Sequence, residues 1–198
     1  MVMKEADYAD RIILALRAKY QSKQEESKPL SEDLMIGPNR ITLHRETLFE
    51  GKCSIMLPET LRDMEYLDSM VKYRNQNRPK IIKTDINRDA TITFDLLPIT
   101  DREESADVTV KMDEIRDNMK KVWKQNVFYD KGEVRANGLA VAWMDFRAFC
   151  IDGSLYSMLF MFQAGDQIVL GNFHCSFPKY DIWKPAILKI LTTIQVSE

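Results

Sequence analysis

The chain has 198 residues, 45% of them hydrophobic and 29% charged, a composition typical of a globular protein of one domain, with or without an appendage. Its 28 Lys and Arg residues and 30 Asp and Glu residues give a formal charge of −2, which argues against nucleic acid as a partner because no basic footprint is left. The longest uncharged run near the C-terminus, residues 153–165, is too short to cross a bilayer, so we predict no membrane span.

The cysteines indicate a reducing compartment. Cys53, Cys150 and Cys175 lie far apart in apolar stretches, and their odd number leaves at least one thiol unpaired. Buried free thiols are typical of reducing surroundings. Charged residues interrupt residues 1–20, so no apolar core of signal-peptide length is found there. We therefore expect the protein to stay in the cytoplasm.

The first 38 residues are predicted to be a helix followed by a linker. Apolar residues recur at steps of three and four on one face of an amphipathic helix that ends near Gln24: Val2, Ala6, Ala9, Ile13, Leu16 and Tyr20. Residues 21–38 are rich in Lys, Glu and Ser and contain two prolines, as linkers do. The helix can bury its stripe against its own body, a second copy or a partner protein. The body is expected to span residues 39–198.

The body opens with two strands and a short helix. Residues 41–49 alternate in polarity and predict an edge-like strand, and residues 52–57 predict a second one. Residues 59–71 predict a helix lying over the sheet, because their apolar residues have helical spacing: Leu61, Met64, Leu67, Met70 and Val71.

A hairpin and the best-defined helix follow. Residues 80–84 and 90–97 are β-rich and flank a run of Asx residues that suits a turn. An apolar stripe then predicts a helix over residues 107–125: Val108, Met112, Ile115, Met119, Val122 and Trp123. Gly132 and Gly138 bracket a polar connection into the last third of the chain.

The last third predicts an antiparallel meander closed by a helix over residues 181–196. Apolar segments 138–151, 155–163 and 167–175 are separated by Asp-Gly and Ala-Gly-Asp, which suit tight hairpin turns. The first segment is apolar on nearly both faces, so both faces must be covered. We therefore predict an α/β (α+β) fold. It would be a three-layer α/β/α sandwich with a mainly antiparallel sheet of about six or seven strands, plus the N-terminal helix.

No residue pattern predicts an active site, a metal site or a cofactor. Two histidines, His44 and His174, are too few for a histidine-based site. His174 and Cys175 are neighbours on a strand, so they point to opposite faces and cannot easily share an ion. The glycines are scattered in turns and form no phosphate-binding loop. We predict no catalytic residue.

Asp145 interrupts an otherwise apolar strand face, and Arg147 lies two residues on, on the same side. Two interpretations stay open. The carboxylate forms a buried or half-buried ion pair at a gap in the helix cover, or it is the base of a small hydrolase or ligand-binding domain with a pocket between sheet and helices. We favour the first, and expect Trp143, Asp145 and Arg147 to contact a partner on the less covered face of this strand.

Short features in a fixed order extend over most of the chain. They are Phe49, Ile55-Met56-Leu57-Pro58, a helix before Trp123, Gly138-Leu139-Ala140, Gly153-Ser154-Leu155-Tyr156, Gly171-Asn172-Phe173, Trp183 and Ile190-Leu191-Thr192-Thr193-Ile194. Over residues 39–196 this order resembles the PsbP-like superfamily. That superfamily includes bacterial DcrB-like proteins, the Ran-binding nuclear import factor of yeast and the chaperones of Rhs effectors of type VI secretion.

The resemblance implies a non-enzymatic function. Members of this superfamily bind other proteins, stabilise assemblies or chaperone a client, so it implies an intracellular, bacterial adaptor or chaperone. Its partner would be another protein, such as a secretion-system or effector component. The N-terminal helix has no counterpart in the pattern, and we expect Ile13, Leu16 and Tyr20 to contact a partner or a second copy. A structural subunit that assembles through that helix is a further alternative.

Overall fold

Strands make up most of the folded chain. A computed structural model describes residues 33–74, 78–98, 107–151 and 153–197, and within them the chain forms eleven strands and three α-helices. The strands are β1 (Asp33–Ile36), β2 (Asn39–Leu48), β3 (Cys53–Pro58), β4 (Arg62–Asp63), β5 (Ile81–Thr84), β6 (Thr91–Pro98), β7 (Val127–Ala136), β8 (Leu139–Cys150), β9 (Gly153–Ala164), β10 (Gln167–Ser176) and β11 (Gln195–Val196). The helices are α1 (Tyr66–Lys72), α2 (Val108–Val122) and α3 (Tyr180–Leu191).

The strands form two antiparallel sheets. The larger sheet has seven strands in the order β4-β5-β6-β10-β9-β8-β7, and the smaller has four in the order β1-β2-β3-β11. All the paired strands run antiparallel. The prediction of a mainly antiparallel sheet in an α+β fold is therefore confirmed. The smaller, separate sheet was not expected.

The predicted meander is formed by β8, β9 and β10. Cys150 pairs with Gly153 at the first hairpin, and Ala164 pairs with Gln167 at the second. Gly165 in the second turn has a φ of +62°, which glycine adopts without strain. The closing helix α3 ends earlier than predicted, because the last residues of the predicted helix instead form β11 and pair with β3.

Helices α2 and α3 contact opposite faces of β8. Ala142 and Met144 pack in one cluster with Val108 of α2, whereas Val141 and Trp143 belong to the main core together with α3. Successive side chains of a strand point to opposite faces. The prediction that both faces of this strand are covered is confirmed.

The main core lies between the larger sheet, α3 and the smaller sheet. Leu57 of β3, Phe173 of β10 and Ile187 of α3 are all fully buried in it. Packing is closest where Gly171 of β10 faces Phe160 of β9. A Cβ atom on Gly171 would lie 2.0 Å from the phenyl ring, so only glycine fits there without moving Phe160.

Two strands lie in segments that were predicted to be connections. Strand β1 falls inside the predicted linker and pairs with β2, so β2 is flanked on both sides and is not an edge. Strand β7 occupies the predicted polar connection. It is an edge strand whose exposed side chains include Lys131, Glu133 and Arg135. Charged residues commonly protect the edge of a sheet from pairing. Here they also obscure the alternation of apolar and polar residues by which a strand is predicted. The predicted N-terminal helix lies outside the described residues.

Helix α1 is shorter than predicted and faces the other way. Residues 62–63 form β4 and pair with β5, so the helix begins only at Tyr66. Leu67, Met70 and Val71 were expected to lie on the sheet, but they are 72%, 42% and 70% exposed. The prediction of an apolar face packed inwards is wrong for this helix.

A buried amine joins the two sheets. Lys83 of β5 has its Nζ 2.8 Å from Oε1 of Glu46 on β2 and 2.9 Å from Oδ1 of Asp63 on β4. The Lys83 side chain is only 8% exposed. Because Glu46 belongs to the smaller sheet and Lys83 to the larger, this ion pair fixes one sheet against the other.

Candidate functional site

Asp145 lies in the middle of β8 and is fully buried. Its Oδ1 accepts a hydrogen bond from the backbone N–H of Asp130 at 2.7 Å. Its Oδ2 accepts one from the hydroxyl of Tyr156 at 3.0 Å and lies 2.7 Å from Nζ of Lys184. Asp145 thus forms a buried ion pair, but its cation is Lys184 of the covering helix α3, whereas the sequence had suggested Arg147 at a gap in the helix cover.

Lys184 points from α3 towards the sheet, and its side chain is only 2% exposed. Besides Asp145, its Nζ contacts Oδ2 of Asp130 at 2.8 Å and lies 5.4 Å from the centre of the Trp143 ring. Burial alone would lower the pKa of Lys184, but the neighbouring carboxylates raise it above its usual value, so the amine stays charged. We call Lys184, Asp145, Asp130 and Tyr156 the buried charge cluster.

The surroundings of Asp145 do not suit a catalytic base. Burial raises the pKa of Asp145, while Lys184 and the two hydrogen-bond donors oppose that rise. A base must also reach a substrate. Asp145 is 0% exposed and lines neither of the two cavities described below. The geometry therefore favours an ion pair that holds α3 on β8.

The predicted contact residues on β8 differ in accessibility. Trp143 is 9% exposed and Asp145 is buried, because α3 packs over this face of the strand. The expectation of a less covered strand face is therefore wrong for these two positions. Arg147 is only half-buried. Residues Ile13, Leu16 and Tyr20 lie outside the described residues, and partner contact by any of the six stays a prediction.

The guanidinium of Arg147 is held between aromatic rings. Its Cζ lies 4.1 Å from the centre of the Phe177 ring and 4.8 Å from that of Phe149, and its Nε donates to Oγ of Ser154 at 2.9 Å. Stacking of this kind is favourable for Arg and fixes the direction of its charged group.

Exposed apolar side chains lie close to Arg147 at the start of β7 and in the β8–β9 hairpin, and two more lie just ahead of β7 in the sequence, at the end of α2. These side chains are between 42% and 103% exposed, and they are Val122, Trp123, Val127, Phe149 and Ile151. Val127 pairs with Arg147 across the strands, and the Asn126 side chain accepts a hydrogen bond from the Phe149 N–H at 3.4 Å. We call these five apolar residues and Arg147 the end surface.

Three exposed lysines near the end of α2 give this region a positive border. Lys120, Lys121 and Lys124 flank Val122 and Trp123 in the sequence. Nζ of Lys120 lies 5.8 Å from the centre of the Phe128 ring. An apolar centre with cations around it favours a partner that carries both apolar and acidic side chains.

Sequence reasoning did not find the end surface. The apolar stripe of α2 predicted Val122 and Trp123 as core residues, but they lie in and just after the last helical turn and are exposed. The sequence nevertheless contains a signal for an exposed position of Val122 and Trp123. The sequence Lys120-Lys121-Val122-Trp123-Lys124 surrounds two large apolar side chains with cations, which is unusual for residues that enter a core.

Two cavities lie near α1 and β4. One of about 730 Å³ is lined by apolar Ile36, Ile41, Ile182 and Trp183 and by charged Arg62, Asp63, Glu65, Asp68, Asp85, Arg88 and Lys179. The other, of about 560 Å³, lies beside Tyr66 and Arg78. Both are shaped by the loops around α1 and β4.

The described residues contain neither a metal site nor a membrane-spanning helix. No three His, Cys, Asp or Glu side chains within them are placed together so that they could hold a metal ion. None of the described helices is both long enough and apolar enough to cross a membrane.

No family model matches the sequence, and no curated protein matches it either. Solved structures do match the fold. The cyanobacterial PsbP of Synechocystis aligns with a TM-score of 0.59 and 11% identity over 83% of this chain and 98% of its own. The Ran-binding protein Mog1p of Saccharomyces cerevisiae aligns with a TM-score of 0.53 and 10% identity over 79% of this chain and 96% of its own.

A third match is a protein from Bacteroides thetaiotaomicron, with a TM-score of 0.51 and 8% identity over 78% of this chain and 48% of its own. Identities this low show the fold alone. The fold that the resemblance implied is thereby confirmed: the chain has the fold shared by PsbP and Mog1p.

Proposed function

We propose that this chain is a non-enzymatic protein-binding module and that it contacts its partner through the end surface. The observation that carries the proposal is the group of large apolar side chains exposed near Arg147 and near the three lysines at the end of α2 and just after it. Groups of large exposed apolar side chains are a common mark of interaction sites on folded proteins. Trp and Arg are also the side chains most enriched among residues that dominate binding energy.

The charges of this region define the chemistry of the partner. Lys120, Lys121, Lys124 and Arg147 would attract acidic side chains, while Trp123 and Phe149 would pack against apolar ones. The expected partner is therefore a protein segment with apolar residues flanked by Asp and Glu. A secretion-system or effector component with such a segment would satisfy the partner class implied by the resemblance. Trp143 and Asp145 would contribute indirectly, by holding β8 in place beneath Arg147.

Two observations support this proposal without defining the partner. Mog1p, which shares the fold, is described as a Ran-binding protein, so a protein partner is known for one example of this fold. The thiols of Cys53, Cys150 and Cys175 are free, which supports a reducing compartment such as the cytoplasm.

The proposal can be tested by photo-crosslinking followed by affinity measurement. A photoreactive amino acid at Trp123 should capture an acidic partner from cells of the source organism, and one at Val110, an exposed apolar position on α2, should not. The captured partner is then purified and titrated by calorimetry.

Two double variants, one in the end surface and one outside it, test the contact. Lys124→Glu combined with Trp123→Ala should weaken binding by about 100-fold, and raising the salt concentration should weaken the wild-type complex. The matched variant Lys131→Glu combined with Val110→Ala should bind within about three-fold of wild type. Equal affinity of both double variants would contradict the end surface as the contact site.

A further inference from the structure

The larger of the two cavities, about 730 Å³, lies where the two sheets and α3 meet. Its walls are the β1–β2 hairpin, the first turn of α3, residues 60–68 and the β5–β6 turn. A volume of this size falls within the range of about 300 to 1,000 Å³ that small-ligand sites occupy. None of the end-surface residues lines it, so this cavity is a separate candidate site.

The floor of the cavity is apolar and is held by core packing. Ile36 and Ile41 of the smaller sheet form it together with Ile182 and Trp183 of α3. Ile36 and Trp183 are buried in the main core, and the Trp183 ring packs on Phe173 with 5.0 Å between the ring centres. Such a floor offers van der Waals contact to one apolar side chain of a ligand.

Most of the charges that line the cavity already have partners within the fold. Three ion pairs account for four of them: Arg88–Asp68, Lys179–Asp89 and Asp63–Lys83. A fifth, the Asp85 carboxylate, accepts a hydrogen bond from the Asp89 N–H at 2.8 Å. The first pair joins the β5–β6 turn to α1, and the second joins the same turn to the start of α3. The walls are therefore held in place before a ligand binds.

Arg62 and Glu65 are the remaining charges of the cavity lining. Both are exposed, and within the described residues neither forms an ion pair, with the other or with a third side chain. Arg62 lies on β4, opposite Thr84 of β5, and Glu65 directly precedes α1. They are three positions apart, so their Cα atoms are separated by at most about 11 Å. One cavity thus offers both a cation and an anion to a ligand.

We propose that this cavity binds a short zwitterionic peptide, with its ammonium group at Glu65, its carboxylate at Arg62 and an apolar side chain against Trp183. Arg suits a carboxylate because its guanidinium can donate two parallel hydrogen bonds to the two oxygens. An extended tripeptide spans about 10 Å, which matches the greatest separation of Arg62 and Glu65. A ligand with charge of a single sign would leave one of these two groups without a partner.

NMR titration of the isotope-labelled full chain with the tripeptide Ala-Phe-Ala tests the proposal. The termini are the only charges of this probe, and the phenyl ring is its only large apolar group. Binding should saturate with a dissociation constant of roughly 10 to 100 µM, a strength typical of a ligand of this size. Resonances of Ile36, Ile182 and the Trp183 indole N–H should shift, and that of the Trp123 indole N–H should not.

Blocked probes and charge variants together identify the two ends. Acetylating the amino terminus or amidating the carboxyl terminus of the probe should each weaken binding to the wild-type chain by about ten-fold. Glu65→Gln should bind the free and the acetylated probe equally, because the group that distinguishes them is gone. Arg62→Gln should bind the free and the amidated probe equally for the same reason.

Two matched variants and one further probe serve as controls. Glu114→Gln on α2 and Arg135→Gln on β7 change exposed charges outside the cavity and should discriminate between the probes as the wild-type chain does. Ala-Ser-Ala keeps both terminal charges but lacks the apolar group, so it should bind at least about ten-fold more weakly than Ala-Phe-Ala.

Three outcomes would overturn the proposal. No saturable shift up to about 5 mM Ala-Phe-Ala would exclude a peptide site in the cavity. Blocked probes that bind the wild-type chain as tightly as the free one would show that Arg62 and Glu65 do not recognise the termini. Shifts confined to residues outside the lining would place the peptide elsewhere. None of these results bears on the end surface, which is tested by crosslinking at Trp123.

Discussion

His174 shows how a single buried side chain ties stability to pH. It lies on β10, is 7% exposed, and its Nδ1 is buried without a hydrogen-bond partner. Burial, with a smaller effect of Lys72, lowers the pKa of His174 to about 3. The same side chain titrates near 6.5 in an unfolded chain. Between these values the unfolded state binds a proton that the folded state does not.

The sign of the effect follows from this difference. Stability contributed by neutral His174 is complete above about pH 6.5 and is lost progressively as the pH falls towards 3. We expect the free energy of unfolding, measured by urea denaturation, to fall by as much as about 3 kcal/mol between pH 7 and pH 4 from this residue.

His174→Phe should remove most of that decline, because the ring volume is retained and no proton is taken up. The matched control His44→Gln alters a half-buried histidine that contacts Glu46 at 3.0 Å, and should keep the decline. A His174→Phe chain that loses stability in acid as steeply as wild type would show that other groups are responsible.

At the residue scale, the sequence indicated one half of the buried charge cluster. Asp145 could be singled out because a lone carboxylate in an apolar strand is rare. Lys184 could not be singled out, because a lysine on a helix is usually exposed. Arg147 also lies closer to Asp145 in the sequence and was the more obvious cation. Only the packing angle of α3 on β8 decides which cation reaches the carboxylate.

At the scale of elements, the Asp145–Lys184 contact holds α3 on β8. We expect Asp145→Asn and Lys184→Met each to lower the free energy of unfolding by about 3 to 5 kcal/mol, because the first leaves buried Lys184 with only the partly exposed Asp130 and the second leaves buried Asp145 without this cation. The double variant should lose less than the sum of the two, since no unpaired charge remains at the Asp145–Lys184 contact.

Urea denaturation of the four chains measures this coupling. The surface pair Lys131–Asp113, whose side chains are 45% and 43% exposed, is the control, and its double-mutant cycle should give about 1 kcal/mol or less. Strictly additive losses at Asp145 and Lys184 would mean that the pair does not stabilise the docking of α3.

Helices and strands could be predicted where the spacing of apolar residues in the sequence matches the way in which the segment packs. The meander β8–β10 was found because its apolar segments are long and its turns contain glycine. Strand β7 was missed because one edge of it is unpaired and its exposed residues are charged. The orientation of α1 was predicted wrongly, since helical spacing defines an apolar face without showing which way that face points.

At the scale of the whole molecule, Lys83 links the two sheets. We expect Lys83→Met to lower the free energy of unfolding by about 1 to 3 kcal/mol, since Glu46 is left partly buried without its cation. Hydrogen exchange should also accelerate in β2 and β3 more than in β8 and β9, because the smaller sheet loses its charged contact to the larger.

Arg40→Met is the matched control for this prediction. It removes an exposed pair with Asp33 inside the smaller sheet and should change the free energy of unfolding by less than about 1 kcal/mol. Uniform acceleration of exchange across both sheets in Lys83→Met would show general destabilisation instead of loosened contact between them.

The division of the strands into two sheets could not be predicted from the sequence. The smaller sheet joins β1 and β2 near residue 40 with β11 near residue 195, and a two-residue strand has no periodicity to detect. Order and hydrophobic placement of the features nevertheless sufficed to predict the fold shared by PsbP and Mog1p, because the buried apolar positions define an architecture even where few identities exist.

The position of Lys184 along the chain has a consequence for biosynthesis. A ribosome adds residues from the N-terminus, so Asp145 is made 39 residues before the amine that neutralises it. Until α3 has been synthesised, folding of the meander would bury the Asp145 carboxylate without its cation. We therefore expect the nascent polypeptide to stay open until Lys184 has been added, and chains truncated before Lys184 should be cleared rapidly by proteases.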